Sequence, residues 1–182
     1  MDIDAELMLR FKQGDVSSFE KLMRKYKEQV VNIIYRFIGD RDEAEDLAIE
    51  VFLKVYKSAK AYRAEAKFST YLYRITVNLC INELKRRKRH KSVSLNNPVA
   101  SKELSSPVSI LEQREREALV KKMIDTLPST QRIPLILQVY EGLSYKEISK
   151  VLGCSVKGVE RRLYRAKTAL RKKLEPYLRS QK

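Results

Sequence analysis

The stretch GLSYKEISKVLGCSVKGVERRL, residues 142–163, holds two amphipathic segments separated by a glycine. Ser144 and Ser155 each precede one segment, and serine is a favoured N-cap residue of α-helices. Gly153 suits the sharp turn between them, because glycine adopts left-handed backbone at little cost. Apolar positions recur at the steps of one helix face, at Ile148, Val151 and Leu152 and then at Val156, Val159, Leu163 and Ala166. The pattern predicts a helix-turn-helix.

The second helix of this motif carries long hydrogen-bond donors on its outward positions, namely Lys157, Arg161, Arg162, Tyr164, Arg165 and Lys167. Residues 155–182 contain ten basic and two acidic side chains, a net charge of +8. Such side chains suit phosphates and guanine edges, and the second helix of the motif is the one that enters the major groove. A purely structural helical hairpin would not need this charge.

Outside the motif, the composition favours an all-α protein. Only ten of the 182 residues are glycine or proline, too few turn formers for a many-stranded sandwich or barrel. The 38 basic and 23 acidic residues give a net charge of +15, which indicates a polyanionic partner. Nucleic acid and an anionic membrane surface both fit this charge.

The sequence argues against several classes of protein. The N-terminus is acidic and lacks the apolar run of a signal peptide, and no segment reaches 18 uninterrupted apolar residues, so we expect a soluble chain with no direct membrane insertion. Cys80, Cys154 and His90 match no metal or disulfide spacing. The pair Gly153 and Gly158 is not followed by Lys-Ser/Thr, so no phosphate-binding loop is present. We therefore expect no metal, no cofactor and no enzymatic activity.

Two small helical domains are predicted, at residues 1–90 and 111–182. The intervening residues 91–110 hold six serines, two asparagines and two prolines without helical periodicity, which indicates a flexible linker. In the second domain, helical patterning from Leu111 to Ile124 leads to Leu127-Pro128. Ser129 or Thr130 is expected to cap a helix that runs to Tyr140-Glu141, with Pro134 disturbing its start.

The first domain shows the pattern of three main helices. The first predicted helix ends at Gly39-Asp40, the second starts with Asp42 as N-cap and Glu45 at capping-box spacing, and the third starts after Phe68 with Ser69 or Thr70 as N-cap. The expected buried positions are Phe19, Leu22, Met23, Tyr26, Val30, Ile33, Ile34 and Phe37 in the first helix, Ala44, Leu47, Ala48, Val51, Phe52, Val55 and Tyr56 in the second, and Leu72, Ile75, Leu79 and Leu84 in the third.

Two surfaces of the first domain allow more than one interpretation. Six acids and one arginine lie between Asp40 and Glu50, which suits either the positive end of a helix dipole or a docking patch for a basic partner. Residues 85–89 read KRRKR and follow Tyr62, Tyr71, Tyr73, Asn78 and Asn82. These residues suit either a solvated basic face with core tyrosines, or the stacking and phosphate contacts of single-stranded nucleic acid.

Taken together, the sequence from about Phe19 to Leu174 resembles the extracytoplasmic-function (ECF) group of bacterial RNA polymerase sigma factors. The segments DEAEDLAIEVFLKVY (42–56) and FSTYLYRI (68–75) resemble sigma region 2, and EGLSYKEI (141–148) with GCSV (153–156) resembles region 4. The resemblance implies a cytoplasmic promoter-specificity subunit that binds core RNA polymerase, recognises −35 and −10 elements and stabilises melted DNA. It also implies an anti-sigma factor, which can hold the protein at the membrane.

The resemblance also implies a role for particular residues. The polymerase-docking residues are Asp46, Leu47, Glu50 and Phe52. The loop at 61–68 and the helix after it read the −10 element and hold a flipped base through Tyr62, Arg63, Ser69, Thr70, Tyr71 and Asn78, with Lys85, Arg86 and Arg87 on phosphates. The −35 duplex is read by Ser155, Lys157, Arg161, Arg162, Tyr164 and Arg165.

The chain departs from the family pattern at four positions, with Ile49 in place of Gln, Tyr71 in place of Trp, Gly158 in place of Thr, and Glu160 in place of a basic or polar residue. Gly158 and Glu160 bear on the promoter sequence. Two rival functions are a stand-alone helix-turn-helix regulator, which would not need the first domain, and a basic membrane-surface or architectural protein, which would not need a capped helix-turn-helix.

Overall fold

The computed structural model describes residues 2–91 and 118–179, and every regular element in these ranges is helical. We number the α-helices in chain order, and a short 3-10 turn at Ala59–Ala61 lies between the third and fourth. The bounds are α1 Ile3–Lys12, α2 Val16–Ile38, α3 Arg41–Lys57, α4 Phe68–Lys91, α5 118–125, α6 Ser129–Val139, α7 Tyr145–Leu152 and α8 Val156–Arg179. The all-α prediction is confirmed. Apart from Lys91, which ends α4, the predicted linker at 91–110 lies outside the described residues, as does the start of the predicted helix at Leu111.

Residues 2–91 form four α-helices rather than the three main helices that the pattern predicted. The additional helix, α1, buries Met8 and Phe11 against α2. Phe11 stacks on Phe19 with ring centroids 4.7 Å apart. With only ten residues, α1 gives a weak periodic signal, and its position depends on the α2 surface that it covers.

Most of the predicted core positions in α2, α3 and α4 are buried, as the periodicity requires. Leu22, Ile33, Val51 and Leu72 have no exposed surface, and burial of each such side chain contributes about 1.5–3 kcal/mol. Ile75 and Leu84 of α4 are only half-buried, and Met23 and Tyr56 are exposed, at 38% and 49%. The latter two face a groove on the surface rather than the core.

Helix ends account for most of the other differences. Gly39 ends α2 at φ 84° as predicted, but the N-cap of α3 is Asp40, whose carboxylate accepts from the Glu43 N–H at 2.9 Å, and not Asp42. α4 begins at Phe68 itself, so Ser69 and Thr70 lie inside its first turn. Pro128 is the N-cap of α6 without a side-chain bond, rather than Ser129 or Thr130, and α6 continues through Pro134.

The helix-turn-helix of α7 and α8 is confirmed. Ser144 and Glu147 form a complete capping box, and Gly153 ends α7 in the left-handed region at φ 61°. Ser155 caps α8, because its Oγ accepts from the Gly158 N–H at 3.1 Å. Val156 is the one predicted core position of α8 that is exposed, at 44%, since it lies in the first turn before the helix reaches its neighbours.

The two described parts of the chain pack against each other, with α7 lying on α4. The Arg36 guanidinium lies 3.6 Å from the centroid of the Tyr140 ring, and Lys67 Nζ bonds Glu147 Oε1 at 3.0 Å. Among the residues described, no helix is both long and apolar enough to cross a bilayer.

Candidate docking and nucleic-acid interfaces

Half of the six acids between Asp40 and Glu50 have structural partners. Asp40 caps α3, and Glu43 forms an ion pair with Arg87 of α4. Glu45 pairs with Arg41 at 3.2 Å. The Arg41 guanidinium also bonds Glu28 at 3.0 Å, and this bond is the main reason why the pKa of Arg41 is raised. These contacts join α2, α3 and α4 and account for part of the acidic segment without any partner molecule.

The other three acids, Asp42, Asp46 and Glu50, form an exposed stripe that we call the acidic stripe of α3. They recur every four residues, which places them on one helix face, and none has an ion pair within the described ranges. Beside them, Ile49 and Leu53 are 61% and 50% exposed. Glu50 is close enough to Arg86 to raise the pKa of Arg86 slightly, after the larger effect of Glu83, but no acid of the stripe is held in a direct ion pair. An exposed acidic row next to exposed apolar side chains is suited to a basic, partly apolar protein surface.

An apolar groove lies next to this stripe, between α2 and α3. Its volume is about 300 Å³. The lining residues are Phe19, Met23, Lys27, Glu45, Ala48, Ile49, Phe52, Leu53 and Tyr56. The groove explains why Met23 and Tyr56 are not in the core, and it gives the exposed face of α3 an apolar depth that the sequence pattern did not show.

The predicted docking residues therefore divide into two pairs. Asp46 and Glu50 are exposed, whereas Leu47 and Phe52 are only 9% and 7% exposed. Leu47 and Phe52 support α3 from inside, and Phe52 reaches the surface only as part of the groove wall. Ile49 and Leu53 were not among the predicted docking residues, although their four-residue spacing was a usable signal, and Asp42 was included only as one of the six acids between Asp40 and Glu50.

Five of the predicted −10 residues, Tyr62, Arg63, Ser69, Thr70 and Tyr71, lie in or next to the loop at residues 63–67 between the 3-10 turn and α4, and the others lie further along α4. Tyr62 is buried, and burial raises the pKa of its hydroxyl to about 12. Its ring contacts those of Phe68 and Tyr71, at centroid distances of 6.4 and 5.0 Å. The Tyr71 hydroxyl shares a hydrogen bond with Ser58 Oγ at 2.5 Å. These aromatic side chains form a rigid support under the loop.

The remaining predicted −10 residues differ in exposure. Arg63 has an 82% exposed side chain, with Glu65 at 3.9 Å, and Asn78 is exposed on α4. Ser69 is half-buried and Thr70 is buried. Arg63 and Asn78 are therefore accessible to a partner, whereas Tyr62 and Thr70 are not.

The basic run at 85–89 is partly neutralised within the fold. The buried carboxylate of Glu83 accepts bonds from Arg86 at 2.7 Å and from Arg87 at 3.0 Å. The bond from Arg86 is the main reason why the pKa of Glu83 is lowered. Arg87 also donates to the Ile38 carbonyl at 3.2 Å and is half-buried. Lys85 is exposed and has no ion pair among the described side chains. The run is thus less repulsive than its sequence implies.

Four of the six predicted −35 residues are exposed on α8. Lys157, Arg161 and Arg165 are exposed, and Tyr164 is 72% exposed. Arg162 is half-buried, with its Nη1 3.7 Å from Cys154 Sγ, and Ser155 is engaged as the N-cap. Glu160 shares the exposed surface with these residues. Within the part of the chain described, no cluster of side chains suits a metal ion.

Comparison with known proteins assigns the two halves separately. Residues 22–90 match sigma-70 region 2, and residues 117–170 match sigma-70 region 4. Neither rival function, a stand-alone helix-turn-helix regulator or a membrane-surface protein, accounts for a region 2 match in the first half.

Similar proteins cover nearly the whole chain. The RNA polymerase sigma-H factor of Pseudomonas aeruginosa is 36% identical over 97% of this chain and 96% of its own length. The ECF RNA polymerase sigma-E factor of Escherichia coli K12 is 30% identical over the same shares. CnrH, solved in complex with the cytosolic domain of CnrY, shares the fold with a TM-score of 0.75 and 22% identity, over 96% of this chain and 99% of that one.

Two sigma regions in the order region 2 then region 4, with relatives of this identity along their full length, define the protein class. The chain belongs to the ECF sigma factors, non-enzymatic subunits that bind core RNA polymerase and direct promoter-specific initiation of transcription.

Proposed function

We propose that the acidic stripe of α3 and its neighbouring groove form the surface that binds core RNA polymerase. The supporting observation is that Asp42, Asp46 and Glu50 are exposed and form no ion pair within 4 Å among the described residues of a chain whose net charge is +15. An unpaired carboxylate row favours a basic partner and speeds its approach. Ile49 and Leu53 then lose water-exposed surface in the complex.

A charge-reversal experiment tests this docking surface. Asp46→Lys with Glu50→Lys should weaken binding to core polymerase by at least tenfold, as measured by fluorescence anisotropy of the labelled full chain. Glu20→Lys is the matched control, because Glu20 is exposed on α2 outside the groove lining. Equal affinity of wild type and the double variant would remove α3 as the docking surface.

We further propose that the loop at 63–67 and the exposed face of α4 receive the unpaired −10 strand. Arg63 and Asn78 are exposed there, and the aromatic support beneath them holds the backbone that carries them. Extruding a base costs a few kcal/mol, which new contacts in the complex must offset. Lys85 extends the surface along the phosphates, whereas Arg86 and Arg87 reach DNA only if they exchange Glu83 for phosphate.

For the −35 element, we propose that α8 lies in the major groove with Lys157, Arg161, Tyr164 and Arg165 against the DNA. Arg161→Ala should cost about 1–3 kcal/mol of binding free energy if Arg161 reads a base. Binding of the holoenzyme to promoters with single −35 substitutions provides the measurement. A loss that is the same on every sequence would assign Arg161 to a phosphate, and Lys172→Ala, near the far end of α8, serves as the control.

We propose that residues 1–90 and 111–182 act as the two functional units, that residues 91–110 link them on the polymerase, and that the protein acts in the cytoplasm under control of an anti-sigma factor. One solved relative supports the last point, because the sigma factor RpoE from Bartonella quintana was solved with the anti-sigma factor NepR. The test is in vitro transcription from a promoter library with core polymerase, with and without the chain. Absence of chain-dependent transcripts would contradict the assigned function.

A further inference from the structure

The loop at 63–67 is held at both of its ends by α1. Lys12 Nζ, from the last residue of α1, donates to the Tyr62 carbonyl at 3.1 Å, immediately before the loop. Asp2, the N-cap position of α1, accepts from the Phe68 N–H at 2.8 Å, immediately after the loop. The opposite ends of one helix therefore hold the opposite ends of one loop.

These two bonds act on backbone groups that α4 itself does not satisfy. The first N–H groups of a helix have no acceptor inside the helix. The acceptor for the Phe68 N–H is Asp2 and not a residue close to Phe68 in sequence. Both bonds involve a charged side chain, which makes them stronger than bonds between neutral groups. Asp2 and Lys12 are separated from these backbone groups by 66 and 50 residues, so neither contact has a local sequence signal.

Between its fixed ends the loop is open. Arg63, Glu65 and Lys67 are exposed, while Tyr62 and Phe68 at its two ends are 3% and 0% exposed. Phe68 also packs against Tyr26 of α2, with centroids 5.5 Å apart. At the end next to Phe68, Lys67 also bonds Glu147 of α7 at 3.0 Å. Fixed ends reduce the conformational entropy that the loop loses when it closes on a ligand.

We propose that Asp2 and Lys12 are positioning residues for −10 recognition: through the two backbone bonds, α1 presents the loop in the conformation that accepts the unpaired base. This inference rests on the proposed function of the loop. α3 and α8 do not use these bonds, so loss of either one weakens promoter melting and base discrimination at −10 and leaves polymerase docking and −35 binding unchanged.

The experiment uses holoenzyme assembled from core polymerase and the full chain on a promoter that the chain transcribes. Permanganate reactivity of −10 thymines reports melting. Asp2→Ala and Lys12→Met should each lower the equilibrium constant for melting by about tenfold or more, the size expected for the loss of a charge-assisted bond. Asp2→Asn and Lys12→Arg keep the acceptor and the donor and should restore melting. Glu6→Ala on the exposed side of α1 is the matched control.

Three outcomes would overturn the inference: melting at the wild-type level in Asp2→Ala and Lys12→Met, failure of both conservative variants to restore it, or a parallel loss of polymerase affinity and −35 binding, which would mean that the bonds only maintain the fold. Replacing residues 63–66 with Gly-Ser-Gly-Ser separates the two hypotheses. If holoenzyme with this loop variant melts the promoter and discriminates between −10 bases as wild type does, the proposed function of the loop fails. If the loop variant fails to melt the promoter while Asp2→Ala and Lys12→Met melt it at the wild-type level, only the positioning role of Asp2 and Lys12 fails.

Discussion

At the scale of single residues, the two cysteines have different environments. Cys80 has no exposed surface, and burial raises the pKa of its thiol to about 12. Cys154 is half-buried in the turn of the helix-turn-helix, with Arg162 beside its sulfur. Because the thiolate is the reactive form and requires access, the two thiols differ in reactivity even though both are free.

We therefore predict that iodoacetamide modifies Cys154 of the native protein and leaves Cys80 unmodified over the same period. Peptide mass spectrometry of samples quenched at intervals gives the two rates, and unfolding in urea should make them similar. Comparable native rates would show that the α4 core opens more readily than its burial implies.

A second residue-scale prediction concerns the buried carboxylate of Asp4. It accepts from the Tyr26 hydroxyl at 2.7 Å and from Lys25 Nζ at 2.6 Å, and burial together with the bond to Asp4 raises the pKa of Tyr26. Asp4→Ala leaves that hydroxyl without its acceptor, so the free energy of unfolding should fall by about 1–3 kcal/mol. Urea denaturation measures the change.

The matching double variant, Asp4→Ala with Tyr26→Phe, should recover part of this loss, because it removes the unpaired hydroxyl as well. The control is Glu6→Ala, whose exposed pair with Arg10 contributes about 0.5 kcal/mol or less. A double variant whose cost equals the sum of the two single costs would contradict coupling between Asp4 and Tyr26.

At the scale of the element, α7 depends on its capping box. It has only eight residues, too few to be stable alone, and Ser144 and Glu147 satisfy each other's backbone N–H groups. Ser144→Ala should lower the free energy of unfolding by about 1 kcal/mol, whereas Ser144→Gly should cost only a few tenths of that. The measurement is urea denaturation, with duplex −35 binding by the holoenzyme as the functional readout.

Ser149→Ala is the control for this prediction, since Ser149 lies inside the same helix and bonds only the Lys146 carbonyl. Alanine is the better helix former at such a position, so stability should stay the same or rise. If Ser144→Ala and Ser149→Ala had equal effects, the capping box would not be what stabilises α7.

At the scale of the whole molecule, an ion pair of 3.0 Å between Lys67 and Glu147 links the loop at 63–67 to the helix-turn-helix. The bond to Lys67, followed by the bonds to Ser144, lowers the pKa of Glu147 from 4.5 to about 2. A carboxyl group whose pKa is lowered by folding stabilises the folded state when the pH is above the unfolded-state pKa. This stabilisation is lost as the pH falls through the folded-state pKa. The contact between the two halves should therefore loosen between pH 4.5 and about 2.

Small-angle scattering across this pH range measures the loosening as an increase in the radius of gyration. Lys67→Met removes the ion pair but keeps the capping box, so its profile should lack the part of the transition that belongs to the contact between the halves. Identical pH profiles for wild type and Lys67→Met would show that this ion pair does not hold the two halves together.

Much of this architecture could be predicted from local sequence. The three- and four-residue spacing of apolar residues predicted α2, α3, α4 and the helix-turn-helix, because helical periodicity follows from backbone geometry alone. Gly39, Gly153, Ser144 and Ser155 end or begin helices as predicted, since the partners of each lie within a few residues. The acidic and basic segments were equally visible as composition.

What only the tertiary structure decided are the contacts between distant residues. Periodicity placed Leu47 in the core and Ile49 outside it, but it could not show that Ile49 borders a groove with Met23 and Tyr56, because that depends on where α2 packs. Nor could it show that Glu83 neutralises part of the basic run, that Asp2 and Lys12 hold the −10 loop, or that Lys67 reaches Glu147. The sequence by itself determined the helices and the protein class. Packing decided which charges and which apolar side chains remain free for a partner, because a charge is free only where folding has not paired it.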